Sequence, residues 1–197
     1  MTYKVITKKD YPKFFIVLEK ILKKSNIETP RMKLEKDDKH FNVKSSMIPF
    51  SNSITYTSRA WKIFNDKERI AVALHEIGHI NSKFRILIYL SFFILFLLTS
   101  IISFYFSLSV FFTILLFLVF LRFPFMAIIS YISQVYEFKA DKFSKEKYNK
   151  KYLKSAIKKT LNEKFHPNLR IIYLLLVKPF CIHPSIKERI YKLDLDC

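Results

Sequence analysis

Residues 75–79 read His75-Glu76-Ile77-Gly78-His79, and the rest of the chain is read outward from this pentad. On a helix the two histidines lie one turn apart on the same face. Both imidazoles then reach a single tetrahedral zinc ion, with Glu76 beside them. A carboxylate in that place takes a proton from water whose pKa the metal has already lowered. Gly78 is the only glycine among 197 residues. In mid-helix it costs about 1 kcal/mol relative to alanine, which implies close approach of another backbone or of a substrate.

The pattern just upstream supports the helix. Asn65-Asp66-Lys67-Glu68 is a capping box, with Asn65 at the N-cap and Glu68 three residues on. Ile70, Ala71, Leu74 and Ile77 then make its apolar side. Residues 12–24 form an amphipathic helix that opens on Pro12, with Phe14, Val17, Leu18, Ile21 and Leu22 opposite Lys13, Lys20, Lys23 and Lys24. Its apolar side reads as core, with attachment to a membrane surface as the second use. Three short strand-like pieces separate these helices: residues 32–35, Phe41-Asn42-Val43, and the alternating Ser53-Ile54-Thr55-Tyr56-Thr57. The expectation is a mainly α fold with a small β-sheet.

Composition points to a membrane. Residues 1–85 carry 18 basic and 9 acidic side chains, and residues 134–197 carry 15 and 7, whereas residues 86–133 contain a single charge, Arg122. Two lysine-rich flanks around an uncharged middle describe a membrane protein. The formal charge of +18 also suits nucleic acid, but the lysines are scattered and no basic-aromatic motif accompanies them, so no nucleic-acid partner is expected. Residues 86–121 are 36 consecutive uncharged residues. As one helix they would be about 54 Å long, nearly twice the hydrocarbon thickness. Two spans are therefore expected, near 84–103 and 109–131, with the turn around Phe104–Leu108. The positive flanks place both termini in the cytoplasm. Ile171–Val177 is too short to span and reads as a buried helix or strand. The two cysteines, Cys181 and Cys197, suggest no disulfide framework, and the N-terminus lacks the apolar core of a signal peptide.

The hairpin has a consequence for chemistry. It returns the chain to the membrane surface beside His79, a few residues before Glu137-Phe138-Lys139-Ala140-Asp141. That pentad carries two carboxylates at i and i+4. Two histidines need one more protein ligand and leave one position for water. Glu137 is the candidate ligand, and Asp141 the candidate acceptor that fixes an imidazole.

Three motifs in order, His-Glu-Ile-Gly-His, then Glu-Phe-Lys-Ala-Asp beyond a hairpin, then His183-Pro184-Ser185-Ile186-Lys187-Glu188-Arg189-Ile190, resemble the HtpX and type I CAAX prenyl protease family. These are integral-membrane zinc endopeptidases of the gluzincin type. The resemblance runs from about residue 12 to residue 193. It implies an α+β metalloprotease domain formed by residues 1–83 and 132–197, with a transmembrane helical hairpin, residues 84–131, inserted between the ligand motifs. It implies His75, His79 and Glu137 as ligands of one zinc per chain, Glu76 as general base, and Asp141 in support. His183 would stabilise the oxyanion. Asn52, at the head of Asn52-Ser53-Ile54-Thr55, matches a family strand whose edge holds an extended peptide by main-chain hydrogen bonds. Arg189 matches a family arginine, although a solvated helix charge explains it as well.

The expected partners are polypeptides, membrane-associated or unfolded, and the lipid bilayer. Two departures from the family, no span before the first motif and no large multi-span chamber, make prenyl-peptide processing the lesser branch. A zinc-binding membrane adaptor without turnover is the rival from another class. An intramembrane protease of the site-2 type is disfavoured, because Lys67, Glu68 and Arg69 lie within two turns of His75.

Overall fold

The computed structural model describes residues 3–46, 51–82, 84–105, 122–164 and 184–195, together with Ser109, Phe112 and Leu115. The chain divides into two compact units, the first formed by Met1–Ser82, Tyr136–His166 and Pro184–Cys197, the second by Lys83–Val135 and Pro167–His183. The described elements are β1 (Tyr3–Val5), α1 (Pro12–Lys23), β2 (Arg31–Glu35), β3 (Val43–Ser45), β4 (Ser53–Thr57), α2 (Ser58–Ile63), α3 (Asp66–Asn81), α4 (Phe84–Tyr105), α5 (Arg122–Lys147), α6 (Lys150–Lys164) and α7 (Ile186–Leu195). The fold is mainly helical with one small mixed sheet.

The sheet of the first unit runs β1-β2-β4-β3. β2 and β4 pair in parallel from Arg31↔Ser53 to Glu35↔Thr57, while β1 and β3 flank them antiparallel. Helix α1 starts with Pro12 in its first turn, where a missing N–H is harmless. Beyond its last residue, Lys23, the chain turns away at Asn26, whose φ of 52° takes the left-handed conformation that glycine usually supplies. Phe14, Phe15, Leu18 and Leu22 of α1 are buried, but Val17, expected on the same side, is exposed. Phe15 takes its place, so the apolar face is rotated away from Val17.

Two other sequence expectations shift. The strand expected at 41–43 is found at Val43–Ser45. Phe41 turns into the core against Phe64, with ring centroids 5.1 Å apart, and the Asn42 carbonyl already accepts from the Thr57 amide at 3.0 Å. Strand β1, three exposed residues too short to show a period, was not expected at all. Trp61 anchors the core: Tyr11, Phe14 and Tyr56 meet it edge-on at 4.8, 5.5 and 5.1 Å, and the Arg69 guanidinium covers it at 4.5 Å.

Helix α3 begins with the expected capping box, Asn65 accepting from the Glu68 amide and Glu68 from the Asn65 amide, each at 2.9 Å. Glu68 has a second role, because α6 packs on α3. The same carboxylate accepts from Ser155 Oγ and Lys159 Nζ, both at 2.6 Å. Burial alone would raise its pKa; the bonds from Lys159, Ser155 and the Asn65 amide outweigh that and hold it below the ordinary carboxylate value. Helix α7 opens on a further capping box, the Ser185 amide giving to Glu188 at 2.8 Å and the Glu188 amide to Ser185 Oγ at 3.2 Å. Leu193 of α7 is buried with Ala71, Leu153 and Ile157.

The second unit contains α4 and the start of α5. Helix α4 has 22 residues and exposes large side chains such as Phe93, Phe96 and Ile101. Its hydroxyls bond back to their own helix: Ser91 to the Leu87 carbonyl at 2.7 Å, Thr99 and Ser100 to that of Phe96 at 2.8 and 2.9 Å. Among the described residues no helix is long and apolar enough to cross a membrane. The hairpin expected near 84–103 and 109–131 is thus not established by the structure. Much of its second arm and residues 106–108 of its turn lie outside the described residues, as do Ile171–Val177, Cys181 and Cys197.

Because the folded-state pKa of Glu68 is depressed, its contribution to stability is present above the unfolded value of about 4.3 and is lost as pH falls through the lower folded value. Glu68→Gln keeps the capping box and should cost about 1.5–3 kcal/mol at pH 7, through loss of the charge that faces Lys159. Denaturant unfolding at pH 7 and again near pH 3 measures this. The gap between the two proteins should narrow at the lower pH; a constant gap would mean that the charge of Glu68 contributes nothing.

Candidate metal centre

Helix α3 delivers His75 and His79 one turn apart, and residues 136–147 of α5 carry Glu137 and Asp141 at the same spacing. All four belong to the first unit. His75 Nε2 and His79 Nε2 lie 3.2 Å apart. Glu137 Oε1 is 3.2 Å from His79 Nε2, and Oε2 is 3.5 Å from His75 Nε2. Three ligands bound to tetrahedral zinc at ordinary lengths are separated by about 3.3 Å from one another. The three side chains therefore converge at about the spacing that zinc ligands need, and they are the group among the described residues that could hold a metal ion. Their chemistry, two imidazoles and a carboxylate, also suits zinc.

The supporting layer gives these ligands the required protonation. His75 Nδ1 lies 2.8 Å from Asp141 Oδ1. With Nδ1–H donating to Asp141, the lone pair on Nε2 faces the centre. Asp141 is itself gripped by Arg189 from α7, through Nε at 2.8 Å and Nη2 at 2.5 Å, the bidentate geometry that guanidinium and carboxylate share. Arg189 Nη1 lies 3.6 Å from Glu137 Oε2. Arg189 is thus a buried clamp on the site, since its side chain is only 16% exposed, and the solvated-charge reading is corrected. Burial in itself would push the His75 pKa down, but the Asp141 charge and the bonds to Asp141 and Glu137 raise it to about 10. Burial likewise would raise Asp141, and the Arg189 bonds and the His75 charge lower it instead. The cluster is built to hold positive charge at His75, which a metal ion supplies as well as a proton does.

Gly78 explains how two helices come this close. A Cβ built on it would meet Ala140 Cα at 2.9 Å and Ala140 Cβ at 3.2 Å. The contact is backbone against backbone, so no side-chain rotation relieves it. The expectation of a close approach at this glycine is met, and the approaching backbone is that of the helix bearing Glu137 and Asp141. Four residues beyond Ala140 along α5, Ser144 Oγ bonds the Ala71 carbonyl at 2.7 Å.

Glu76 points to the sheet. Its Oε2 accepts from the Ser45 backbone amide at 2.7 Å, which places the outermost strand against the metal cluster. This corrects the reading of Asn52. Strand β4, which Asn52 precedes, lies inside the sheet between β2 and β3, so it has no edge to offer a peptide. The Asn52 carbonyl is taken by the Arg31 amide at 2.9 Å, and Asn52 is not one of the three side chains that cluster to hold a metal. The edge belongs to β3, and Ser45 is the site residue that sequence reasoning missed. Its signal was faint, since a main-chain N–H has no residue type, but Asn42-Val43-Lys44-Ser45 does have strand character. His183 lies outside the described residues.

Gly78→Ala should show what the close approach sustains. Alanine gains about 1 kcal/mol of helix propensity, while forcing α3 from α5 costs about 1–3 kcal/mol. A net loss of about 1 kcal/mol is expected in denaturant unfolding. The larger effect is on the metal: separating Glu137 from the histidines should weaken zinc binding about 10-fold or more, read by competition with a chromophoric chelator. Wild-type zinc affinity in this variant would show that the glycine does not position the ligands.

A family model described as Peptidase family M48 matches residues 16–195. No curated protein sequence matches the chain. Among solved structures, the crystal structure of S. mikatae Ste24p is similar, with 22% sequence identity and a TM-score of 0.70 over 98% of this chain and 51% of that chain. The chain thus spans about half the length of that structure, and the likeness is one of fold.

Proposed function

The chain belongs to peptidase family M48, as the order of its three motifs implied, and on that premise we propose that it is a membrane-anchored zinc endopeptidase of the HtpX kind. Its substrates are unfolded or membrane-associated polypeptides. The single observation that carries this reading is the convergence of His75, His79 and Glu137 at 3.2–3.5 Å with Glu76 alongside. His75, His79 and Glu137 would hold one zinc ion. Bound there, zinc supplies the Lewis acidity that polarises a peptide carbonyl and makes water acidic.

The remaining steps belong to the protein. Asp141, held by Arg189, keeps His75 in the Nδ1–H tautomer, so its other nitrogen stays available as a ligand. Glu76 takes the proton from the attacking water and passes it to the departing amine, as a positioned carboxylate near neutral pH does. The outer edge of β3 aligns an extended peptide beside Glu76 by main-chain pairing, the recognition mode of a sheet edge. His183, next along the chain from Pro184 and the helix that carries Arg189, donates to the oxyanion. Residues 84–131 form the transmembrane hairpin, with both termini and the active site in the cytoplasm. The run of 36 uncharged residues between basic flanks supports that topology. Prenyl-peptide processing uses the same chemistry and is the alternative substrate class.

Hydrolysis of casein by the detergent-purified full chain, with zinc content measured alongside, tests the assignment. Wild type should carry about one zinc and cut. Glu76→Gln should keep the zinc and lose about 10²–10⁴-fold in turnover, the usual contribution of a general base. Glu137→Ala should lose the metal. Zinc-dependent turnover retained in Glu76→Gln would sink the mechanism, and zinc bound without turnover in every protein, with casein and with a prenylated peptide, would favour the adaptor.

The hairpin is tested separately. The full chain should stay with the membrane pellet after alkaline carbonate extraction, and a variant in which a short polar linker replaces residues 86–131 should be released. A wild-type chain found in the supernatant would overturn the two-span topology.

A further inference from the structure

Helix α1 contributes no residue to the proposed site, yet its outward face is organised. At 100° per residue, Lys13, Ile16, Val17, Lys20, Lys23 and Lys24 fall within an arc of about 120°, and all six are exposed. The buried residues Phe14, Phe15, Leu18 and Leu22 occupy the opposite arc. Among the described residues none of these four lysines has a carboxylate partner, whereas Lys4, Lys8, Lys44, Lys62, Lys154 and Lys159 of the same unit each have one within 4.0 Å. The one acid of the helix, Glu19, lies at the margin and is neutralised by Lys8 at 2.5 Å.

A groove of about 420 Å³ runs beside this face. Val17, Ile21 and Tyr148 give it an apolar floor, and Lys20, Lys24 and Lys147 stand around it. The carboxylate that also lines it, Glu146, faces Lys142 at 4.0 Å. Ile16 and Val17 are 54% and 37% exposed, which is unusual for β-branched apolar residues on a helix whose other side is core.

We propose that the outward face of α1, with its groove, rests on an anionic lipid bilayer. The complementarity is specific to such a surface. Unpaired lysines with long flexible stems flank a short apolar ridge, the arrangement of helices that lie in the headgroup region with cations at the phosphates and the ridge below them. A protein partner would be met by projecting aromatic or arginine anchors; this face has no arginine, and its one aromatic, Tyr148, lies on the groove floor. Each lysine near a negatively charged leaflet contributes about fivefold to the equilibrium. The inference goes beyond the peptidase reading and does not rest on it.

The test is maleimide labelling of the full chain, as Val17→Cys with Cys181→Ser and Cys197→Ser, in nanodiscs of phosphatidylcholine alone or mixed with phosphatidylglycerol. Labelling at Val17→Cys should be about 10-fold or more slower in the anionic discs, and high salt should restore it. Lys13→Gln, Lys20→Gln and Lys24→Gln together should remove the difference, with an unchanged melting curve showing that the fold is intact. A control cysteine on α6, Lys158→Cys, should label equally in both lipids. Equal rates at Val17→Cys in both lipids would overturn the proposal. So would equal protection in phosphatidylcholine discs from inorganic phosphate, which would mark an oxyanion pocket, or from polyglutamate, which would mark an acidic protein surface. A chain that fails to enter discs defeats the hairpin only; the same labelling is then read with vesicles added to the free chain, where lipid dependence decides the question for α1.

Discussion

The candidate metal centre depends on the contact between Gly78 and Ala140, where two helix backbones pass so closely that a methyl group would stand 2.9 Å from Cα. A helix interior is a poor place for glycine, and the cost of about 1 kcal/mol is accepted once in this chain. In return, a turn of α5 comes within reach of a turn of α3. The spacing of the two backbones at this contact sets how closely Glu137 stands to His75 and His79. The glycine is thus part of the ligand geometry although it has no ligand atom.

The second constraint is charge. His75, Glu137, Asp141 and Arg189 are buried or nearly so, and buried ionised groups are stable only when each is paired and hydrogen-bonded. The arrangement answers this by alternation: arginine holds aspartate, aspartate holds histidine, and histidine faces glutamate. Removal of any one member leaves a neighbour uncompensated in a low-dielectric site. The same alternation leaves a surplus of negative charge at the centre, and the Asp141 charge beside His75 favours a positive charge there. Stability of the network and affinity for a cation are one property.

Much of this was readable beforehand, for local reasons. The helix carrying the histidines announces itself by its cap and period, and Glu137 and Asp141 by their own i, i+4 spacing. The unique glycine also carried a legible meaning, since nothing else justifies it in mid-helix. What failed was long-range. Strand order is a tertiary fact: Ser53–Thr57 alternates well because it is paired on both sides, and for that reason it cannot be the edge that Asn52 was expected to introduce. Strand β1 was missed because an edge strand of three exposed residues has no pattern to read. Val17 was misplaced because a stripe of three or four apolar residues fixes a helix face only to within one position, and Phe15 outweighed it. Arg189 could not be told from a surface charge until α7 was seen to lie against Asp141.

The contact from the Ser45 amide to Glu76 joins the sheet to the centre in a way that residue types could not reveal. A carboxylate acting as a base must present one oxygen to the proton and hold the other still. Here a main-chain N–H at 2.7 Å takes Oε2. The donor belongs to an edge strand of the sheet, so that the position of Glu76 and the line of that edge are set by the same three residues, Val43–Ser45. In an antiparallel ladder, main-chain groups face the paired strand and the open side by turns. The register that pairs Lys44 with Thr55 therefore turns the amides of Val43 and Ser45 outward together. A slip of one residue would turn them inward and release Glu76. The pairing of β3 with β4 accordingly determines where the glutamate points, and a sheet of four short strands is sufficient for that purpose because only one hydrogen bond at its rim has to be placed.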